Sequence, residues 1–139
     1  MAWSIKILSH ENVGLLEHVA EDVFDYEICG EYVAAYLKQP NHQLIVALSD
    51  DQVVGQIRAM VHFQPDEAPT LYIDNLGVAI NYQRLGIATA LFEQIVQWGK
   101  SLGCTTYWVA TECDNDEGNH FYKALGLAPE KMYYYEGET

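Results

Sequence analysis

The chain has 139 residues, half of them hydrophobic, and its 20 acidic against 7 basic residues give a formal net charge of −13. Such a charge disfavours nucleic acids and anionic membranes, which bind basic patches, and it attracts polycations, unless the acidic surface serves only solubility. The length predicts one domain over residues 1–139, with a core that needs neither disulfides nor a metal.

The first residues, MAWSIKILSHEN, lack the basic and apolar regions of a signal peptide, and no apolar run reaches the length of a membrane span. We therefore expect a cytoplasmic protein. The three cysteines lack CxxC spacing and the five histidines lack paired-ligand spacing, so the sequence predicts reduced thiols and no metal site.

The first half of the chain alternates between strand and helix patterns. Residues 3–8 read as a strand, and Val13, Leu16, Ala20 and Val23 form the apolar face of a predicted helix. A second helix is predicted over residues 31–38. Residues 43–48 and 53–63 form a hairpin, in which Val53, Gly55, Ile57, Ala59, Val61 and Phe63 share one face and Gln56, Arg58 and His62 share the other.

The second half continues the same alternation. Residues 71–78 are apolar enough for a central strand. A helix follows, with its apolar face at Ile87, Leu91, Ile95, Trp98 and Leu102, and it ends before Gly103. Residues 105–111 read as a strand, 116–125 as a helix, and 131–136, with three tyrosines, as a last strand. The alternation predicts an α/β fold.

A glycine motif, Gln83-x-x-Gly86-x-Ala88, opens the long helix. The first turn of a helix has unpaired N–H groups and about half a positive charge, so it can hold phosphate oxygens without a lysine. Small residues at 86 and 88 keep that backbone accessible, and glycine also permits positive φ. The alternative is an ordinary tight connection between a strand and a helix.

The context of this motif carries a resemblance. The preceding strand ends in Leu76-Gly77-Val78, and Phe121-Tyr122-Lys123-Ala124-Leu125-Gly126 follows one strand later. Together they resemble the GNAT superfamily of acyl-coenzyme A-dependent N-acetyltransferases over about residues 5–136. More narrowly, residues 72–78 and 86–91 and the early Val23-Phe24-Asp25 look like the aminoglycoside 3-N-acetyltransferases.

The resemblance implies a mixed, mostly antiparallel sheet of six to seven strands flanked by about four helices. A parallel strand pair would splay apart to admit acetyl-CoA, with Gly77 as a β-bulge residue. The cofactor would contact Leu76, Gly77, Val78, Gln83, Arg84, Leu85, Gly86, Ile87, Ala88, Thr89, Asn115 and Tyr122. Tyr122 would also protonate the departing thiolate, because a phenol keeps its proton at neutral pH.

The acceptor amine must lose a proton before it attacks, and Asp74 is the first candidate base, with Glu112 in reserve. Predicted substrate contacts are Asp74, Asn75, Glu112, Asp114 and Asp116, although Asp114 and Asp116 also suit a solvated turn and an acidic first helical turn. The resembling family tends to have an acid where this chain has Asn75. By strand alternation we expect Asp74 to share a face with Tyr72, Leu76 and Val78, opposite to Asn75.

These expectations combine into acetyl transfer from acetyl-CoA to a primary amine of a small polycation, with an aminoglycoside 3-amine as the leading candidate. The alternatives are another amine, such as a polyamine or a peptide N-terminus, and a non-catalytic acyl-CoA-binding regulatory module. Neither nucleic acid nor a membrane is an expected partner. A homodimer that pairs through the aromatic last strand is a further hypothesis.

Overall fold

The computed structural model describes all residues 1–139. It contains five strands and three α-helices, fewer than the six to seven strands and four helices expected. In chain order these are β1 (Ser4–Ile7), α1 (Gly30–Leu37), β2 (His42–Ser49), β3 (Gln52–His62), β4 (Thr70–Val78), α2 (Ile87–Ser101), β5 (Thr106–Val109) and α3 (Asp116–Ala124), with 3-10 turns at Val13–Glu17 and Ile80–Tyr82. No helix is long and apolar enough to cross a bilayer.

The strands form one sheet in the order β1-β2-β3-β4-β5. Neighbouring strands are antiparallel except for β4 and β5, which are parallel. The chain divides into two compact units, Met1–Val109 with the whole sheet and Ala110–Thr139 with α3. The single domain over residues 1–139 stays a prediction.

One predicted helix and one predicted strand do not form. Between residues 9 and 23 the only helical element is the 3-10 turn, because the backbone of His18 and Ala20 bonds instead to Val53 of β3. Residues 131–136 join no ladder, and Tyr133 and Tyr135 are 88% and 89% exposed. Residues with high strand propensity form a β-strand only where their backbone can pair with a neighbouring strand. The strand through which two protomers were expected to pair in a homodimer is therefore absent from this structure.

Helix α2 packs on one face of the sheet, called here the α2 face. Ile87, Leu91 and Ile95 are at most 1% exposed, which confirms the predicted amphipathic helix, and each contributes about 1.5–3 kcal/mol by burial. Gly99 allows close packing, because a Cβ there would lie 2.9 Å from the side chain of Leu71.

The expected alternation of β3 holds over its middle. Gly55, Ile57, Ala59 and Val61 are buried, and their register places them on the α2 face together with their β4 partners. Val53 and Phe63 depart from the expected alternation. A register shift against β2 leaves Val54 without a counterpart, so Val53 does not continue the α2 face. Phe63 lies beyond the strand and is 61% exposed.

Candidate active site

Strand β4 separates from β5 halfway along its length. The parallel ladder ends where Ile73 pairs with Val109, whereas β4 continues along β3 as far as the pair of Val78 with Gly55. One side of residues 74–78 therefore has no strand partner. The expected divergence of the parallel pair is present.

The backbone of β4 presents donors on this unpaired side. The N–H of Ala79 donates to Val54 O of β3 at 2.8 Å. Because successive N–H groups of a strand point to alternate sides, those of Val78 and Leu76 point away from β3. An extended ligand with amide groups can form ladder-type hydrogen bonds there.

The bulge that accompanies the divergence is at Asp74, and the expectation of a bulge at Gly77 is wrong. Arg58 pairs with Asn75 and Ala59 with Ile73, so Asp74 is the extra residue, while Gly77 pairs regularly with Gln56. Gly77 has a different reason to be glycine.

A Cβ at Gly77 would collide with the carbonyl oxygen of Val23, which packs directly over this position. The absence of a side chain thus lets the loop before α1 lie against the end of β4.

The start of α2 is an uncapped turn with its donors exposed. Gly86 occupies the N-cap position with φ 86° and ψ 3°, and it has no side chain to cap the helix. Its carbonyl accepts from Ala90 N at 3.1 Å, but the N–H groups of Ile87, Ala88 and Thr89 have no acceptor within the protein. The nearest atom to an added Cβ at Gly86 is 3.9 Å away, so φ rather than crowding requires glycine.

The turn before the helix is also exposed. Arg84 has a left-handed φ of 63°, and both Arg84 and Leu85 are exposed. The amide of Gln83 donates to Val78 O at 3.2 Å, which ties this turn to the end of β4. Backbone donors, the helix dipole and the Arg84 charge together suit a diphosphate, so these residues fit the anionic part of coenzyme A.

The face opposite α2 carries the polar side chains of β3 and β4. Asp74 Oδ2 accepts from Arg58 Nε at 2.9 Å, with both side chains about one-third exposed. Burial raises the pKa of the Tyr72 phenol, and the charge of Asp74 adds to that effect. Tyr72 also stacks on Trp108, with ring centroids 4.1 Å apart and planes 15° from parallel.

The bulge overturns the expected distribution of β4 side chains. Asn75 pairs with Arg58 and lies on the same face as Asp74, although alternation predicted opposite faces. Leu76 and Val78 pair with Ile57 and Gly55 and thus lie on the α2 face, away from Asp74. Only Tyr72 shares the face of Asp74 as predicted, because the extra residue shifts the alternation by one.

Asn75 joins two other elements through its side-chain amide. Its Nδ2 donates to Asp25 Oδ2 at 3.0 Å, and its Oδ1 accepts from Gln56 Nε2 at 2.5 Å. Gln56 is fully buried and also donates to Val23 O at 3.1 Å. Asp25 was not among the predicted site residues, because no local sequence pattern signals a contact between residues 50 positions apart.

The remaining predicted site residues belong to the C-terminal unit. Asn115 caps α3, since its Oδ1 accepts from Gly118 N at 3.1 Å. Asp116 lies in the first turn of the same helix, where an acid stabilises the dipole. The side chains of Glu112 and Asp114 are exposed. Burial raises the pKa of the Tyr122 phenol, so Tyr122 keeps its proton at neutral pH.

The structure also bears on catalysis by the Cys104 thiol and on metal binding. Burial raises the pKa of the Cys104 thiol, which opposes formation of a thiolate nucleophile. No group of three or more His, Cys, Asp or Glu side chains is arranged to hold a metal ion.

A sheet whose parallel pair separates beside an uncapped helix start is suited to bind the extended, anionic cofactor of an acyl-CoA-dependent acyltransferase. The sequence matches the Acetyltransferase (GNAT) family over residues 10–127, and the chain belongs to that family. It is accordingly an acetyl-CoA-dependent acetyltransferase.

Among its relatives is the aminoglycoside N(6')-acetyltransferase type 1 of Acinetobacter baumannii, 25% identical over 99 residues, or 68% of each chain. An aminoglycoside acetyltransferase from an uncultured soil metagenomic sample is 24% identical, with a TM-score of 0.84 over 100% of both chains. AAC(6')-Iy in complex with the bisubstrate analog CoA-S-monomethyl-acetylneamine is 16% identical, with a TM-score of 0.82 over 100% of both chains. These structural similarities establish the fold, and none of the three proteins is named for the 3-amine.

Proposed function

We propose that the protein transfers acetyl from acetyl-CoA to a primary amine of an aminoglycoside, at the 6' position rather than the expected 3-amine. The observation that carries this proposal is that residues 74–78 of β4 can serve a cofactor with their backbone and an acceptor with their side chains. Their backbone has an unpaired edge, and the side chains of Asp74 and Asn75 face the opposite side of the sheet from α2. The similarity to aminoglycoside N(6')-acetyltransferases supports the position.

The cofactor supplies an activated acetyl thioester when it is bound. Backbone groups of Leu76, Gly77 and Val78 would bind its pantetheine arm along the unpaired edge. Its diphosphate would rest on the turn formed by Gln83, Arg84, Leu85, Gly86, Ile87, Ala88 and Thr89. The unpartnered N–H groups of the first helical turn support this assignment.

The acceptor is an ammonium ion at neutral pH, and it must give up a proton to become a nucleophile. Asp74 remains the first candidate to take that proton, directly or through a water, and Glu112 is the second. Arg58 competes with the substrate for the charge of Asp74, since the two side chains form an ion pair. Asp114 and Asp116 would bind other polar groups of the acceptor, and Asn75, whose side chain bonds Gln56 and Asp25, would act on the acceptor through Asp25.

Tyr122 is the proposed donor to the thiolate that departs. Its raised pKa supports this role, because the phenol is fully protonated over the pH range in which an amine acceptor reacts. Asn115 is proposed to contact the cofactor only through its backbone, since its side chain caps α3.

Release of free thiol from acetyl-CoA in the presence of an amine panel tests the proposal. We expect turnover with kanamycin and little with spermidine or an N-terminal peptide, and NMR of the product should place the acetyl group on the 6'-amine. Turnover with spermidine or peptide alone would contradict the aminoglycoside assignment. Calorimetric binding of coenzyme A without turnover of any amine would identify a regulatory acyl-CoA-binding module instead.

A further inference from the structure

The structure assigns to Asp25 the binding of an ammonium group of the acceptor, with Gln56 and Asn75 as the residues that position it. This inference rests on the proposed function and adds to it a carboxylate from the loop before α1. Its basis is a chain of directed hydrogen bonds that begins at a fully buried side chain and ends at an exposed carboxylate.

The direction of this chain follows from the charge at its end. An ionised carboxylate only accepts hydrogen bonds, so Asn75 must turn its NH₂ group towards Asp25 and its carbonyl towards Gln56. Gln56 must then donate, and its Nε2 bonds both Asn75 Oδ1 and Val23 O. The Gln56 Oε1 atom, buried and without a partner, is consistent with an amide oriented by these two acceptors.

A hydrogen bond from Asn75 distinguishes the carboxylate of Asp25 from that of Asp22 in the same loop, which accepts none. The carbonyl oxygen of Val23 accepts a hydrogen bond from Gln56 and packs on Gly77. This contact fixes the loop on the sheet two residues before Asp25, whose side chain is exposed. A carboxylate held in place binds a cation with a smaller loss of conformational entropy than a mobile one.

Charge distinguishes Asp25 from Asp74. Asp74 already forms an ion pair with the guanidinium of Arg58, and this is the only ion pair in the structure. The bonded partner of Asp25 is a neutral amide, and no cationic side chain lies within ion-pair distance of it. Its negative charge is therefore uncompensated and available to a ligand ammonium.

Calorimetric binding of kanamycin to Asp25→Asn tests the inference, with Asp22→Asn as the matched control. Both variants remove one carboxylate from the same exposed loop, and asparagine tolerates the left-handed φ of 65° at position 22. We expect Asp25→Asn to raise the Kd for kanamycin about 10-fold or more, as for other charged hydrogen bonds, and Asp22→Asn to leave it within about 2-fold. The Kd for coenzyme A should change in neither.

Asn75→Leu tests the positioning role. If Asn75 acts through Asp25, the double variant Asp25→Asn, Asn75→Leu should bind kanamycin no more weakly than Asp25→Asn alone. Equal affinities of Asp25→Asn and Asp22→Asn, additive losses in the double variant, or absence of kanamycin binding to the unsubstituted protein would each overturn the inference. Binding with this pattern but without acetyl transfer would overturn only the proposed function.

Discussion

Replacing Thr89 by glutamate should separate the stability of α2 from its affinity for coenzyme A. Thr89 is exposed in the first helical turn, three residues after Gly86, and its N–H has no acceptor. A negative charge there stabilises a helix by about 0.3–1 kcal/mol. The same charge at about 5 Å from a phosphate costs roughly 1–3 kcal/mol at an effective dielectric constant of about 20–80. We therefore expect Thr89→Glu to unfold at higher temperature and to bind coenzyme A about 5- to 150-fold more weakly.

Calorimetry at low salt measures this loss, which should shrink as added salt screens the repulsion. Thr89→Gln controls for side-chain size. Gln94→Glu adds the same net charge at an exposed position in the middle of α2 and should bind as the unsubstituted protein does. If Thr89→Glu bound coenzyme A as tightly as these two controls, the diphosphate would not lie at this helix start.

Three further predictions concern single side chains. Gly77→Ala should lower the unfolding free energy by about 1–3 kcal/mol, because its Cβ collides with a backbone carbonyl, whereas Gly14→Ala, with nothing within 4 Å, should not destabilise in the same urea titration. Burial raises the pKa of Tyr36, so its contribution to stability is complete below about pH 10 and is lost as the pH rises above that value, where the unfolded chain ionises. Tyr36→Phe should remove this alkaline loss but cost about 1 kcal/mol at pH 7, since the phenol donates to Gln43 O at 2.8 Å. If Tyr36→Phe had the same unfolding free energy as the unsubstituted protein at pH 7 and at pH 11, both expectations would be wrong. Tyr122→Phe should lower kcat with amines about 10²-fold or more while coenzyme A affinity is kept, and an unaltered kcat across the pH range would exclude Tyr122 as the proton donor.

Elements whose residues carry a strong local pattern were predictable from sequence. The apolar spacing of Ile87, Leu91 and Ile95 predicted α2, and a glycine at its start predicted the positive φ of Gly86. Both signals are local, because a helix and its first turn are determined by neighbouring residues.

The features that were missed depend on pairing between distant residues. Whether a residue is a bulge is decided by its register against another strand, so Gly77, a residue type common at bulges, was preferred over Asp74. One signal was present in the sequence. The buried positions Leu71 and Ile73 are followed by Leu76, and a spacing of three within a strand indicates an extra residue. The contact of Asp25 with Asn75 left no such trace.

The extra residue in β4 gives the same two peptides two structural features. The peptides around Asp74 and Asn75 leave the ladder with β5, and the same peptides aim two polar side chains at the other surface of the sheet. If the cofactor binds along this strand edge, as proposed, the cofactor and the amine depend on the same two peptides. Thermodynamic linkage then requires that any effect of one substrate on the affinity for the other be reciprocal.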